Sequence, residues 1–187
     1  NNIERARAAN AAREQAERVS ANQTNVNKAI KEGQNAKALS RIAGYGYELG
    51  VLQSEFISKV KKEKQGEDDL DIPNAILFFG PTRNGKTTIS KAVAEETGCN
   101  FKQLYSHNKD KLIDSIRKEL ENSENNFRQN NVRTIIFLDE IETIAGLDSK
   151  YHDEFFDILK DCSKKYHCTI FGTTNHPFKL GLNKDNK

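Results

Sequence analysis

Gly80-Pro81-Thr82-Arg83-Asn84-Gly85-Lys86-Thr87 is a complete G-x-x-x-x-G-K-T stretch. It follows directly on Ala75–Phe79, a continuous apolar run of strand length, and it opens the amphipathic stretch from Gly85 to Thr97, which stops at Gly98. Strand, tight turn and helix are the context in which this pattern has chemical meaning. A chain that leaves a strand this sharply, with its amide N–H groups converging on one point, needs residues without a Cβ, hence Gly80 and Gly85. Those amides and the positive end of the following helix dipole suit a phosphate. Lys86 adds a point charge able to reach the β- and γ-phosphates of a nucleotide, and the Thr87 hydroxyl is placed to ligate Mg2+. Gly80 through Thr88 is therefore the candidate nucleotide-binding stretch.

Two further segments extend the site. Thr134-Ile135-Ile136-Phe137-Leu138 is a buried-strand pattern that ends in Asp139-Glu140, 53 residues after Lys86. Charge is unusual at the end of a buried strand. A pair of acids there can cap the next turn; beside a phosphate loop, Asp139 would hold the Mg2+ shell and Glu140 would act as general base on a water. Cys168–Gly172 is another apolar run, leading through Thr173-Thr174 to Asn175-His176-Pro177. An amide at Asn175 could hydrogen-bond both the γ-phosphate and the attacking water, although Asn before a turn is commonplace. Phosphate loop, acidic pair and polar amide thus each stand at a strand's C-terminal end, where open α/β sheets bind ligands.

Between these segments the pattern predicts a strand over Phe101–Tyr105, a helix over Lys109–Leu120, an Asn-rich loop over Asn122 to Asn131 and a helix over Tyr151–Tyr166. Alternating strands and helices describe an α/β fold: a parallel sheet sandwiched by helices, preceded by an N-terminal helical segment. The division falls near residue 66. Residues 1–66 carry a charge of +5, contain no Pro and read as helix; residues 67–187 carry −3 and form the core. Within the first zone Ala9, Ala12, Ala16, Val19, Val26 and Ile30 make a thin stripe suited to a coiled-coil arm, a partner-docking helix or a helix only marginally formed alone. Leu39, Ile42, Leu49, Leu52, Phe56 and Val60 make a stronger stripe expected to pack on the core, with a break near Gly44–Gly46.

Composition excludes several alternatives. The net charge of the 187 residues is +2, so no global basic field argues for nucleic acid, and the basic residues of the arm are interleaved with acids. No apolar run approaches the length of a membrane-spanning helix, so no membrane partner is expected. Cys99, Cys162 and Cys168 form no C-x-x-C pair and are expected to be reduced, buried thiols of a cytoplasmic protein rather than ligands of a zinc site shared with His167. The chain lacks Met altogether and opens Asn1-Asn2, from which we expect a segment of a longer protein.

The stretches Ile76–Pro81 and Gly85–Ala94 closely resemble the phosphate-loop strand and helix of the AAA+ ATPases. Ile136-Phe137-Leu138-Asp139-Glu140-Ile141-Glu142 resembles their Walker B segment, and Thr173-Thr174-Asn175-His176-Pro177 their sensor-1 segment. The resemblance covers roughly residues 72–178 and implies an ATP-hydrolysing motor or switch working as a ring or partial ring of identical subunits. A neighbour would supply an arginine finger, and a small helical lid would lie behind the nucleotide. It also implies a sheet ordered 5-1-4-3-2, whose fifth strand would flank Ala75–Phe79. By the same resemblance Lys86 and Thr87 bind phosphate and Mg2+, Asp139 supports the metal, Glu140 is the base and Asn175 is the sensor.

The departures matter too. Thr82-Arg83-Asn84 stands where the familiar loop has Pro-Gly-Thr, and Arg83 occupies a position often held by Gly. From Ser106 to Ile113 there is no aromatic-apolar-Gly pore loop of the kind that threads polypeptide. Two functional readings remain: Mg2+-dependent ATP hydrolysis driving change in an assembly, or a non-catalytic module in which ATP occupancy positions the N-terminal arm on a protein partner. A GTPase is disfavoured, because Asn108-Lys109-Asp110 and Asn183-Lys184-Asp185 both miss the guanine-reading Asn-Lys-x-Asp.

Overall fold

The three apolar runs and the expected strand near Phe101 become four strands: β1 (Ala75–Phe79), β2 (Asn100–Leu104), β3 (Thr134–Leu138) and β4 (Cys168–Thr174). They form one sheet in the order β1-β4-β3-β2, with every pairing parallel. The computed structural model describes residues 38–42, 44–105, 109–142 and 149–176. The thin alanine stripe of residues 9–30 and the stretch 177–187 lie outside the described residues. The two central strands, β3 and β4, are buried at every position, which is why they read as unbroken apolar runs. Among the described residues β1 is an edge strand: Ile76 and Phe78 face a packed layer, while Leu77 is 37% and Phe79 70% exposed on the other side.

Helices cover both faces. A short 3-10 turn (Ala38–Arg41) is followed by a break at Gly44 and Tyr45, both at positive φ. The chain then runs as α1 (Gly46–Leu52), a π-helical stretch (Gln53–Ile57) and α2 (Ser58–Lys64). Phe56, Ile57 and Val60 are fully buried here, and the Phe56 ring meets Phe171 of β4 edge-on at 5.2 Å. With α3 (Lys86–Thr97), whose C-cap Gly98 is left-handed at φ 63, they form one apolar cluster that includes Phe101, Ile135, Phe137 and Phe171. The opposite face carries α4 (Lys109–Asn130) and α5 (Ser149–Tyr166), which bury Ile113, Ile116, Leu120 and Ile158 against Ile136, Leu138 and Ile170. No helix among the described residues is long and apolar enough to cross a membrane.

One sequence expectation is corrected. Asn122 to Asn131 is not a loop, because α4 continues to Asn130. Its polar side chains sustain the helix rather than end it. Arg128 pairs with Glu124 at 2.6 Å and Asn130 bonds to Asn126 at 3.0 Å, both at i,i+4 spacing. Ser123 is buried, and Phe127 stacks on His167 with ring centroids 3.7 Å apart. The helix ends at Asn131, which is left-handed at φ 53.

At the N-terminal end of the central strands, opposite the loops named above, Arg133 is buried and held by α2. Its guanidinium donates to both oxygens of Glu63, at 2.7 and 2.9 Å, and also to Ser163 and the Cys168 carbonyl. His167 lies beside this pair. Burial, and then the Arg133 charge, push its imidazole pKa below the ordinary range, against the opposing pull of Glu63. All three cysteines are free and buried, and no cluster of potential metal ligands occurs among the described residues.

Candidate functional site

β1 ends at Phe79 and the chain turns through Gly80, at φ 152, into a loop closed by Gly85, at φ 73. Both angles lie where a side chain is disfavoured, so the two glycines are required by the backbone. Arg83 takes φ 66, a left-handed conformation that glycine adopts without cost. Gly85 is the N-cap of α3, and no side chain caps that end; the first-turn amides are left to the loop.

A cleft of about 340 Å3 opens over this loop. Thr82 to Thr88 line one side, and Asp139, Glu140 and Asn175 line the other. Of the sequence-chosen residues, only Gly80 and Pro81 are not on its wall, and their carbonyls are engaged by Lys86. The Lys86 ammonium donates to Gly80 O at 2.8 Å, to Pro81 O at 2.9 Å and to Asn175 Oδ1 at 2.9 Å. Parallel pairing of β1 with β4 carries Asn175 across from the loop, and pairing of β3 with β4 carries it beside the acidic pair.

The acidic pair is held by contacts that the motifs do not reveal. Glu140 is left-handed at φ 53. Its N–H donates to Thr173 Oγ1 at 3.2 Å, the next amide, Ile141 N–H, donates to Thr173 O at 2.8 Å, and Thr173 Oγ1 donates to Asp139 Oδ1. Glu142 Oε1 accepts from Asn175 N–H at 3.4 Å, and its Oε2 is buried with no partner. Gly172 makes room for the turn, since a Cβ there would stand 2.8 Å from Ile141 Cδ1. Tyr105, just past β2, has its phenol pKa pushed up by burial and by the charge of Asp139. On the loop side, the Tyr45 hydroxyl donates to Asn84 O at 2.9 Å, tying the chain before α1 to the phosphate loop.

The sequence assigned no role to Thr173, Glu142 or Tyr45, although the first two lie within stretches quoted for the resemblance. The only available signal was for Thr173, a second hydroxyl in a run otherwise apolar enough to be buried. The donor set on the cleft, the Thr87 hydroxyl and the Asp139 carboxylate, consists of hard oxygens without thiol or imidazole. That chemistry fits Mg2+ rather than a softer metal.

A parallel sheet between helix layers, with a G-x-x-x-x-G-K-T turn leading from its first strand into a helix, defines a P-loop nucleotide-binding protein. Residues 76–182, more than half of the chain, match the model of the ATPase family associated with various cellular activities (AAA), and the chain belongs to that family. Among solved structures, one concerned with katanin self-assembly superposes with a TM-score of 0.61 at 22% identity, covering 83% of this chain and 54% of that one. The FIGL-1 AAA domain in complex with ADP gives 0.60 at 21% identity, covering 76% and 49%. The chain thus spans about half the length of the structures it matches, and at these identities the likeness establishes the fold. Family and fold together make this an ATPase-type nucleotide-binding domain.

Proposed function

We propose that the domain binds ATP with Mg2+ and hydrolyses it, as one of several identical subunits whose conformational change acts on a partner. The observation that carries this reading is the cleft itself: the phosphate loop, Asp139, Glu140 and Asn175 come together from three segments far apart in sequence. In the proposed reaction the amides of the loop and the Lys86 ammonium grip the β- and γ-phosphates. Thr87 and Asp139 would hold Mg2+, which would neutralise charge on the phosphate oxygens when bound. Glu140 takes a proton from the water, which Asn175 orients, as the water oxygen bonds to the γ-phosphorus; the bond from that phosphorus to the β–γ bridging oxygen breaks, and ADP leaves with its electron pair. Positioning and charge stabilisation do most of the work in phosphoryl transfer, so a rigidly stitched acidic segment suits it. The likeness to a structure concerned with katanin self-assembly is in keeping with an assembly of copies, and the resemblance to AAA+ ATPases implies that each would complete its neighbour's site. The buried free thiols are in keeping with the cytoplasmic location we propose.

Comparing Glu140→Gln with the unaltered chain tests the reading. Nucleotide binding is expected to persist while Mg2+-dependent phosphate release falls by at least about 100-fold. Unchanged hydrolysis with intact binding would remove Glu140 from the role of base.

The bond from Tyr45 to Asn84 O favours a second reading. It attaches the N-terminal segment directly to the nucleotide loop, as a module would if ATP occupancy positioned that arm on a protein partner without turnover. Tight ATP binding with no phosphate release at any protein concentration would favour it over the first.

A further inference from the structure

We propose that Thr173 is the positioning residue of this site, setting Asp139 for the metal and Glu140 for the water through one buried hydroxyl. The inference rests on the nucleotide reading above and goes beyond it, to a residue that neither touches phosphate nor carries charge. Thr173 is 1% exposed and is the penultimate residue of β4. Its hydroxyl has one proton to give and lone pairs to receive with. The direction of both bonds is forced. An ionised carboxylate can only accept, so Thr173 donates to Asp139 Oδ1; an amide N–H can only donate, so Thr173 accepts from Glu140. The carbonyl of the same residue takes the following amide, Ile141 N–H, at 2.8 Å.

One residue therefore captures two successive amides and the carboxylate that precedes them. That matters because Glu140 sits at φ 53, a conformation that persists only when its surroundings over-determine it. Without the hydroxyl, Asp139 is free to rotate and the Glu140 amide loses its acceptor, while the loop that grips the phosphates is untouched. Groups that orient a metal-supporting carboxylate in this way typically change metal affinity by roughly 10- to 100-fold when removed.

The test uses the full chain and a fluorescent ATP analogue, titrated with Mg2+ and, separately, in EDTA. Thr173→Val keeps the shape and removes the hydroxyl; Thr173→Ser keeps the hydroxyl; Asp139→Asn reports whether the metal assignment itself is right. We expect Thr173→Val to need about tenfold more Mg2+ for half-maximal binding. Binding in EDTA should be unchanged, Thr173→Ser should behave as the unaltered chain, and Asp139→Asn should shift at least as far. Thr173→Ala serves in place of the valine variant if the latter loses its far-UV circular dichroism. A shift in Asp139→Asn with none in the hydroxyl-free variants overturns the role of Thr173 and leaves the nucleotide reading standing. No shift in either overturns both the role of Thr173 and the assignment of Asp139 to the metal, while absence of analogue binding by the unaltered chain would overturn the nucleotide reading. An equal shift in Thr173→Ser and Thr173→Val also overturns the proposal, since packing rather than the hydroxyl would then be at work.

Discussion

Glu63→Gln is the most informative single perturbation of the fold, because it keeps volume and removes only charge. Arg133 is 2% exposed and Glu63 15%, and they are joined by two bonds of 2.7 and 2.9 Å. Breaking a buried pair by removing one partner costs about 3–5 kcal/mol, since the surviving charge is left uncompensated. Two features place the expected loss at the lower end. The glutamine keeps one acceptor oxygen, and Arg133 keeps three weaker bonds at 3.3 Å, to Ser163 Oγ, Ser163 O and Cys168 O. About 3 kcal/mol corresponds to a fall in Tm of roughly 6–12 °C for a chain of this length. Urea denaturation followed by circular dichroism measures it. In a cycle with Arg133→Met, the losses should fail to add by about 1–3 kcal/mol. A loss under about 0.5 kcal/mol, or strict additivity, would refute the claim that this pair fastens α2 to the base of the sheet.

Three other outcomes follow from named atoms. In Gly172→Ala, the new methyl meets Ile141 Cδ1 at 2.8 Å, so that side chain must swing; stability should drop by about 1 kcal/mol and Mg2+-dependent turnover should fall with it, as read by denaturation and phosphate release. Arg83→Gly relieves a left-handed arginine at φ 66, and should raise stability by up to about 1 kcal/mol with nucleotide affinity unchanged; a clear fall in affinity would make Arg83 a phosphate ligand. Because the His167 pKa is depressed below 6.5, the unfolded chain binds more protons than the native one there. Stability is therefore full above that value and is lost as pH falls below it, and His167→Gln should flatten this slope in denaturation curves taken between about pH 7 and 5.

Much of this architecture was legible because its signals are local. Three of the four strands carry an apolar run bounded by polar residues or Gly, β2 being the polar exception, and the phosphate loop is eight consecutive residues in a strand–helix context. The error at residues 122–131 arose because Asn-rich composition lowers helix propensity, whereas tertiary contacts decide. The stacking of Phe127 on His167 and the burial of Ser123 favour helix there, and neither can be read from composition. The unseen half of the site has the same origin. Thr173 and Asp139 are 34 residues apart, and Tyr45 and Asn84 are 39 apart, so the first bond depends on strand order and register and the second on how the segment before α1 packs against the loop. Parallel pairing of β3 with β4 is what converts two unrelated chain positions into neighbours.

The three bonds of Lys86 have a mechanical consequence. An ammonium has three protons, and here Gly80 O, Pro81 O and Asn175 Oδ1 accept them. A phosphate that engages Lys86 must therefore win donors from partners already in place, so association is a trade of bonds rather than a simple gain. The partner most readily surrendered is a side chain, that of Asn175, a residue whose backbone N–H donates to Glu142 and which directly follows the strand whose Thr173 holds Asp139. In the proposed reaction, a phosphate drawn to Lys86 would therefore be expected to register at the acidic turn as well, as a detent released at one end of a lever is felt at the other.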